Sequence, residues 1–356
     1  MRDQIGTSAD FHYLTFDRQD VRERAKRSPD LFIESLRSDG EGVTAIDEIT
    51  KVPDVFDAIK LSVDESRRPG TFIISGSAQF SQKVGIRESL TGRIGLLRLL
   101  PLSARELHSM EFAERWGKLN FAPSRIPLAK IQQNIQSGGM PGVCFIRNAS
   151  ERREAVTGWI ETTCYRDLLQ VKGGRISGDL ASEILHCLPS LESTDVTAIG
   201  RKLKVDVRRI TNHVSALEAI FAIQRIDPHS EGVGKPRFYP VDCGFATALG
   251  ASSGFATKMW VLNEILSQLE NGSGTAKTRL SYYESKRHSH VDFVLTTPKE
   301  TVGVVVTEEQ TVTRYALRTG LAFLKHFPLA KMLYIAPVSE SYKEDGVTIV
   351  PWNWIC

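Results

Sequence analysis

The chain has 356 residues, of which 41% are hydrophobic and 24% are charged. This length exceeds what one ordinary hydrophobic core fills, so we expect two or three domains, and the residue balance is that of a globular protein rather than a disordered or membrane protein. The formal net charge of +3 is small for the length, so any case for nucleic-acid binding must rest on a local surface.

The cysteines and histidines give no sign of a structural metal site. The five cysteines are widely spaced without a Cys-x-x-Cys pair, and the eight histidines form no His-Glu-x-x-His motif. Free thiols are typical of a reducing compartment. No apolar run has the length of a signal-peptide core or of a membrane span. We therefore expect a cytoplasmic protein that does not associate with a membrane.

The first third of the chain alternates short apolar runs with helical patterns, which predicts an α/β fold. Three runs are typical of buried strands: FHYLTF at 11–16, VTAIDE at 43–48 and TFIISGSA at 71–78. Apolar residues at helical spacing follow the second run, from Ile49 to Val63. Residues from about 98 to 170 are more helical, with a glycine-rich loop at 137–142.

The pattern then changes twice. Residues from 179 to about 226 have a helix-turn-helix rhythm, and from about 279 the chain returns to strand patterns: LSYYES, HVDFVL, VGVVVT and, after a helix, KMLYIA. We expect boundaries near 170 and 250. These boundaries predict three domains, at 1–170, 171–250 and 251–356.

Two acids end the second predicted strand, and hydroxyl residues end the third. Asp47 and Glu48 close VTAIDE, and Ser75 and Ser77 flank Gly76. In P-loop ATPases an Asp at the carboxyl end of a buried strand holds magnesium through water, and a following Glu orients the attacking water. A neighbouring strand supplies a polar sensor of the γ-phosphate. The alternative is structural, because any buried strand can end in two acids and serines often satisfy their own turn.

Several ordered motifs extend this pattern along the chain. They are IDEITKVPDVFDAIKLSVDESRRPGTFIISGSAQF, RESLTGRIGLLRLLPLSARE, Gly-Gly-Met-Pro at 138–141 and the helix WIETTCYRDLL. Together they resemble a widespread prokaryotic AAA-type ATPase family, and the likeness covers nearly the whole chain. The resemblance implies a parallel-sheet domain that binds ATP and magnesium.

The resemblance also implies roles for individual residues. By this resemblance, Asp47 holds magnesium through water and Glu48 orients the attacking water. Ser75 or Ser77 senses the γ-phosphate. Arg93 matches the family's Gly-Arg, which implies a guanidinium that neutralises charge on the γ-phosphate through bidentate contacts. The alternative for Arg93 is a surface salt bridge.

The phosphate-binding (Walker A) loop of such ATPases is missing from the sequence. No Gly-x-x-x-x-Gly-Lys-[Ser/Thr] segment occurs in the 356 residues. The resemblance begins at FHYLTFD, and the residues before Phe11 are too few for the loop with its strand and helix. We therefore expect an incomplete P-loop domain that does not hydrolyse ATP. ATP and magnesium would bind only with a loop from upstream or from a partner.

The helix-turn-helix region carries a candidate DNA-binding face. TAIGRKLK and VRRITNHVSALEAI predict two helices joined by a turn, with Ile210, Val214 and Leu217 inward. The outer face of the second helix and a following wing supply the candidate contacts to double-stranded DNA: Arg208, Arg209, Asn212, His213, Lys235 and Arg237. Winged helices also serve as protein-interaction modules, so a protein partner stays open.

The runs HVDFVL and VGVVVT of the last region resemble part of a restriction-endonuclease-type fold, whose site needs an Asp on one strand and a Glu-x-Lys on the next. Asp292 lies in HVDFVL, but Val305 and Thr307 stand where a Glu-x-Lys is needed to hold a metal and assist water. In the preceding helix, Glu264 matches a family Glu, and Lys258 stands where an acid is often found. The region resembles a restriction-endonuclease-type fold with a degenerate site. An active nuclease is the alternative.

These features predict an α/β protein with three parts: an incomplete AAA-type P-loop domain, a helical winged-helix middle and a C-terminal α/β restriction-endonuclease-like domain. The implied function is ATP binding coupled to movement or release of a DNA or protein partner. The alternative is a non-catalytic DNA- or protein-binding remnant in which Asp47 and Glu48 no longer meet nucleotide. The sequence leaves homo-oligomerisation open.

Overall fold

The computed structural model describes residues 11–37, 42–66, 68–76, 93–110, 123–168, 176–271, 278–287 and 289–356. The chain forms two compact units, residues 1–96 with 219–221, and the remainder of 97–356. The predicted boundaries near 170 and 250 both lie within the second unit, and the division into three domains stays a prediction.

The first unit contains a three-stranded parallel sheet. Its elements are β1 (Phe11–Thr15), α1 (Gln19–Arg27), α2 (Pro29–Arg37), β2 (Val43–Asp47), a 3-10 turn (Ile49–Lys51), α3 (Val55–Ser66) and β3 (Phe72–Ile74). The strand order is β1-β2-β3, with β2 in the centre. Because all pairings are parallel, the carboxyl ends of the three strands lie at one edge of the sheet.

Apolar spacing explains how this unit folds. The middle of β2 is buried on both faces, as is typical of the central strand of a parallel sheet. On α3, Phe56 and Ile59 lie one turn apart and pack into the same core as Phe16 and Ile33. The strands and helices confirm the α/β pattern predicted for the first third of the chain.

The second unit begins with helices and a hairpin. The helices are α4 (Ala104–Leu107), α5 (Leu128–Ser137), α6 (Ala149–Thr162, extended by a π-helical segment at Thr163–Asp167), α7 (Gly178–Cys187), α8 (Val196–Leu203) and α9 (Val207–Ala219). An antiparallel hairpin follows, β4 (Ile223–Ile226) with β5 (Arg237–Pro240). Helices α8 and α9 lie within a residue of the two helices predicted for the helix-turn-helix region.

The C-terminal part of the second unit is a six-stranded mixed sheet between two helices. Its elements are α10 (Cys243–Ala248), α11 (Ser253–Asn271), β6 (Arg279–Glu284), β7 (His290–Thr296), β8 (Thr301–Val306), α12 (Arg314–His326), β9 (Lys331–Ala336), β10 (Tyr342–Glu344), β11 (Val347–Pro351) and a 3-10 turn (Trp352–Ile355). The strand order is β10-β11-β9-β8-β7-β6. Phe293 and Leu295 pack on the side of α11, whereas Val294 packs on the side of α12.

The alternation on β7 follows from strand geometry, since successive side chains point to opposite faces. This sheet confirms the return to strand patterns predicted from about residue 279. None of the helices in the described ranges combines the length and the apolar content needed to cross a membrane.

Candidate functional site

The carboxyl edge of the parallel sheet is built around Asp47. Asp47 ends β2 and pairs in register with Thr15 at the end of β1. Its Oδ2 accepts a hydrogen bond from the Tyr13 hydroxyl at 2.9 Å, and its Oδ1 accepts one from Ser75 Oγ, just beyond β3. Ser75 is fixed in turn by its backbone N–H, which donates to Ile46 O at 3.0 Å. The structure thus brings two predicted residues, Asp47 and Ser75, together and adds Tyr13.

The Asp47 carboxylate keeps capacity for a further ligand. Each carboxylate oxygen has two acceptor lone pairs, and among the described residues one hydrogen bond reaches each oxygen. Burial and the bond to Asp47 raise the pKa of Tyr13, so the phenol keeps its proton at neutral pH and stays a donor. A half-buried, oriented carboxylate at this edge suits a water molecule bound to magnesium.

Glu48 follows Asp47 in an uncommon backbone conformation. Its φ of 55° and ψ of 38° lie in the left-handed region, which residues other than glycine rarely adopt. The next residue anchors the turn, because Ile49 N donates to Ser75 O at 3.1 Å. Strained residues of this kind persist where the surrounding structure holds them, and they concentrate at functional sites.

The other residues predicted for this edge have different outcomes. Ser77 lies outside the described residues. Arg93 forms a two-point ion pair with Asp64 on α3, from Nε to Oδ1 and from Nη2 to Oδ2 at 3.0 Å. The hydrogen bonds between them lower the pKa of Asp64 and raise the pKa of Arg93. This contact is the salt bridge that the sequence left open, and a role of Arg93 toward phosphate stays a prediction.

The outer face of α9 carries three of the predicted DNA contacts. Arg208, Arg209 and Asn212 are exposed, whereas Ile210 and Val214 on the opposite face are buried. The helical period predicted this division correctly.

The exposed position predicted for His213 is wrong. His213 is only 1% exposed, and its Nε2 accepts a hydrogen bond from Ser177 N at 2.9 Å. Its Nδ1 therefore carries the ring proton and faces Arg209 O at 2.8 Å. The physical reason is spacing: His213 lies three residues after Ile210 and four before Leu217, which puts it on the buried face.

The two cations predicted for a wing have unequal positions. Lys235 is exposed and donates from Nζ to Thr197 Oγ1 at 2.7 Å. Arg237 is not on an exposed surface, since its side chain is only 12% exposed. Its guanidinium pairs with Glu284 at 2.7 Å and lies over the Tyr282 ring, 4.1 Å from the centroid. The exposed placement of Arg237 is therefore wrong.

The loop of the hairpin is joined to the edge strand β6. His229 N donates to Tyr282 O at 2.7 Å, and Tyr282 N donates to Asp227 O at 3.1 Å. Further along the loop, Val233 N donates to Glu284 O at 2.8 Å. The hairpin thus extends the edge of the six-stranded sheet instead of projecting as a free wing.

Asp292 on β7 is paired with the ammonium group of Lys258. It is 5% exposed, and its Oδ1 lies 2.7 Å from Lys258 Nζ and 3.2 Å from His290 Nε2. Its Oδ2 accepts from Val306 N at 2.9 Å. Burial alone would raise the pKa of Asp292, but Lys258 and His290 hold it well below its usual range. An ammonium group thus occupies one side of the carboxylate that a metal-dependent nuclease would use for its metal.

Glu264 has a structural contact away from Asp292. It is 3% exposed, and its Oε1 accepts a hydrogen bond from Ala104 N at 2.7 Å, at the start of α4. Burial raises the pKa of Glu264 to about 8, so the side chain is largely protonated at neutral pH. Across the described residues, no three His, Cys, Asp or Glu side chains are arranged to hold a metal ion.

Asp242 is a buried acid that sequence reasoning missed. Its Oδ2 accepts from Gly139 N at 2.7 Å and its Oδ1 from Gly244 N at 2.8 Å. Gly138 adopts a φ of +72°, and a Cβ there would lie 1.9 Å from Asp242 Oδ1. Leu102 N donates to Gly139 O at 2.8 Å, so the Leu-Pro-Leu-Ser and Gly-Gly-Met-Pro segments meet beside this carboxylate. Asp242 is also the N-cap of α10. An Asp directly before a helical pattern is the sequence signal that identifies an N-cap.

Comparison with known proteins supports part of this interpretation. Residues 1–108 match a family model described as an AAA domain, and residues 128–257 match one described as a domain of unknown function. An uncharacterized protein of Mycobacterium tuberculosis is similar to this chain at 23% identity over 334 residues, covering 88% of this chain and 69% of that protein. An uncharacterized protein of Mycobacterium bovis gives the same values. The first match confirms the AAA-type resemblance of the N-terminal region and includes Asp47.

Proposed function

We propose that this chain is an ATP-binding protein of the AAA-type superfamily that couples nucleotide binding to a DNA or protein partner. The observation that carries the proposal is the position of Asp47, held between Tyr13 and Ser75 at the carboxyl edge of a parallel sheet. Ligands of open α/β sheets bind in the crevice at this edge. The match of residues 1–108 to an AAA domain supports the same site.

Within this site, each residue has a distinct task. Asp47 would hold magnesium through a water molecule, Tyr13 and Ser75 fix the rotamer of Asp47, and Glu48 follows Asp47 in the left-handed backbone conformation. Magnesium, when bound with ATP, supplies neutralisation of the phosphate charge. The 356 residues contain no Gly-x-x-x-x-Gly-Lys-[Ser/Thr] segment, so we propose that this chain alone does not turn over ATP and that nucleotide binds at this edge when an upstream segment or a partner supplies a phosphate-binding loop.

Binding of a fluorescent ATP analogue by the native protein, isolated together with any upstream segment or partner, tests this proposal. We expect binding that requires magnesium and weakens at least about tenfold in Asp47→Asn, which corresponds to about 1.4 kcal/mol. Asp30→Asn is the matched control, because Asp30 is an exposed acid in the first turn of α2. Magnesium-independent binding, or equal affinity in Asp47→Asn, would contradict the proposal. ATP turnover by this chain alone that is lost in Asp47→Asn and Glu48→Gln would refute the absence of hydrolysis.

The second candidate function is a non-catalytic partner-binding protein. The ion pair between Arg93 and Asp64 favours it, because the Asp64 carboxylate already accepts hydrogen bonds from two nitrogens of this guanidinium. If nucleotide fails to bind while partner binding is intact, this candidate replaces the first.

We also propose that the C-terminal sheet is a nuclease-like fold without nuclease activity. The contact between Lys258 and Asp292 supports this, since a fixed ammonium competes directly with a divalent cation for the carboxylate. Incubation of plasmid DNA with magnesium or manganese should leave it intact. Cleavage that disappears in Asp292→Ala would overturn the proposal.

A further inference from the structure

We propose that the partner is duplex DNA and that it binds a basic segment formed by the end of α8, the following turn and the start of α9. Five exposed cationic side chains define this segment: Arg201, Lys202, Lys204, Arg208 and Arg209. The inference rests on the proposed function, because it names the partner that the proposed function leaves unspecified.

The charge of the segment is concentrated and unpaired. Residues 201–212 contain the five cations and one acid, Asp206, a net charge of +4 against +3 for the whole chain. Asp206 is occupied as a helix cap, because its Oδ1 accepts from Arg208 N at 2.9 Å. None of the five cations forms an ion pair with a residue in the described ranges. Adjacent unpaired cations repel one another and gain most from an anionic partner.

The segment stands on a fixed support. Gly200 permits a close turn, since a Cβ there would lie 2.9 Å from Val205 O. Lys204 ends α8 in the left-handed conformation, with φ of 56°. Below α9, Ile210 is fully buried and His213 is bonded to the backbone of the segment before α7. The helix is therefore already ordered before it binds a partner, so binding loses no conformational entropy by ordering it.

The chemistry of the segment suits nucleic acid better than a protein. Its exposed side chains are charged or polar except Val207, which is 40% exposed. Protein interfaces depend on aromatic and apolar anchors, and this segment has no aromatic residue. On a duplex of any sequence Arg208 and Arg209 can neutralise phosphates, and Asn212 carries the donor and acceptor that read an adenine edge. A helix of 13 residues is about 20 Å long and fits the major groove.

A cavity beside α8 extends the basic segment toward the hairpin. The cavity has a volume of about 370 Å³, and its lining includes the cations Arg201, Lys235 and Arg237 and the acids Asp195 and Glu284. Because the hairpin loop is joined to β6, the hairpin contributes Lys235 from a fixed position and does not enter a groove.

Fluorescence anisotropy with a labelled random-sequence duplex of about 25 base pairs tests this inference on the full chain without nucleotide. If five phosphates are neutralised, the dissociation constant rises about 500-fold between 50 and 200 mM salt. In Arg208→Ala/Arg209→Ala the affinity falls, and the same salt change raises the dissociation constant only about 40-fold. Lys299→Ala/Lys325→Ala removes two exposed cations elsewhere and should bind like the wild type.

Two outcomes would overturn the inference. One is absent or salt-insensitive binding of the duplex, and the other is an equal loss in the two double variants, which would indicate charge without a site. Anionic lipid vesicles are the competing macromolecular surface, and wild-type binding to vesicles but not to duplex is the form of the first outcome that would assign the segment to a lipid surface. The assay contains no ATP, so its failure leaves the nucleotide site untouched, and failure of nucleotide binding leaves this assay unaffected.

Discussion

Removing Lys258 should destabilise the second unit more than removing its partner. Lys258→Met leaves the Asp292 carboxylate, 5% exposed, without its nearest cation at 2.7 Å. Asp292→Asn instead leaves an ammonium group that is already 30% exposed and that water can solvate. The asymmetry in exposure therefore predicts an asymmetry in stability.

The magnitudes follow from the cost of an unpaired buried charge. Replacing Lys258, the more exposed partner, should lower the free energy of unfolding by about 3 kcal/mol. The loss is not larger because His290 and Val306 N still contact the Asp292 carboxylate. For Asp292→Asn, which keeps an acceptor for Val306 N, we expect a loss of about 1.5 kcal/mol in the free energy of unfolding. For the double variant we expect a loss of about 2 kcal/mol. The coupling free energy of the pair is then about 2.5 kcal/mol.

Urea denaturation followed by tryptophan fluorescence measures these changes in the right part of the molecule. Four of the five tryptophans, at positions 159, 260, 352 and 354, lie among the described residues of the second unit. A coupling free energy below about 0.5 kcal/mol would refute the reasoning, since exposed ion pairs reach only such values. A larger loss in Asp292→Asn than in Lys258→Met would contradict the assigned asymmetry.

Two further stability predictions come from buried acids. The pKa of Glu264 is raised from 4.5 to about 8, so the folded state loses stability as pH rises through this range. Glu264→Gln keeps an acceptor for Ala104 N and should stabilise the protein by up to about 4 kcal/mol near pH 8 but hardly at pH 5. A pH-independent difference in urea midpoint would contradict this. Gly138→Ala should cost at least about 3 kcal/mol, because the new methyl group overlaps Asp242 and φ is positive. Gly158→Ala, in the middle of α6 with open space around it, is the control that should not destabilise; equal melting temperatures for both variants would refute the account of Gly138.

Local patterns were enough to predict the elements. Strand β2 and helix α9 lie where apolar runs and the helical period put them, within a residue at most ends. His213 was misplaced although the same period, counted from Ile210, assigns it to the buried face. The prediction for His213 followed the polar chemistry of its side chain and not its position on the helix.

Contacts between distant residues were beyond local patterns. Tyr13 and Ser75 meet Asp47 across 34 and 28 residues, because the sheet order makes β2 the central strand. Arg237 meets Glu284 across 47 residues, because the hairpin loop joins β6. Sequence spacing does not specify which strand edges pair, so these partners follow only from the assembled sheets.

The measurement that tests the nucleotide site most directly is hydrogen exchange with mass spectrometry, in the presence of magnesium with and without ATP. Our account predicts slower amide exchange on ATP addition in peptides that contain Asp47 and Ser75, and no such change in Asp47→Asn. Unchanged exchange in both peptides, or protection confined to the second unit, would contradict an AAA-type site at the carboxyl edge of the parallel sheet.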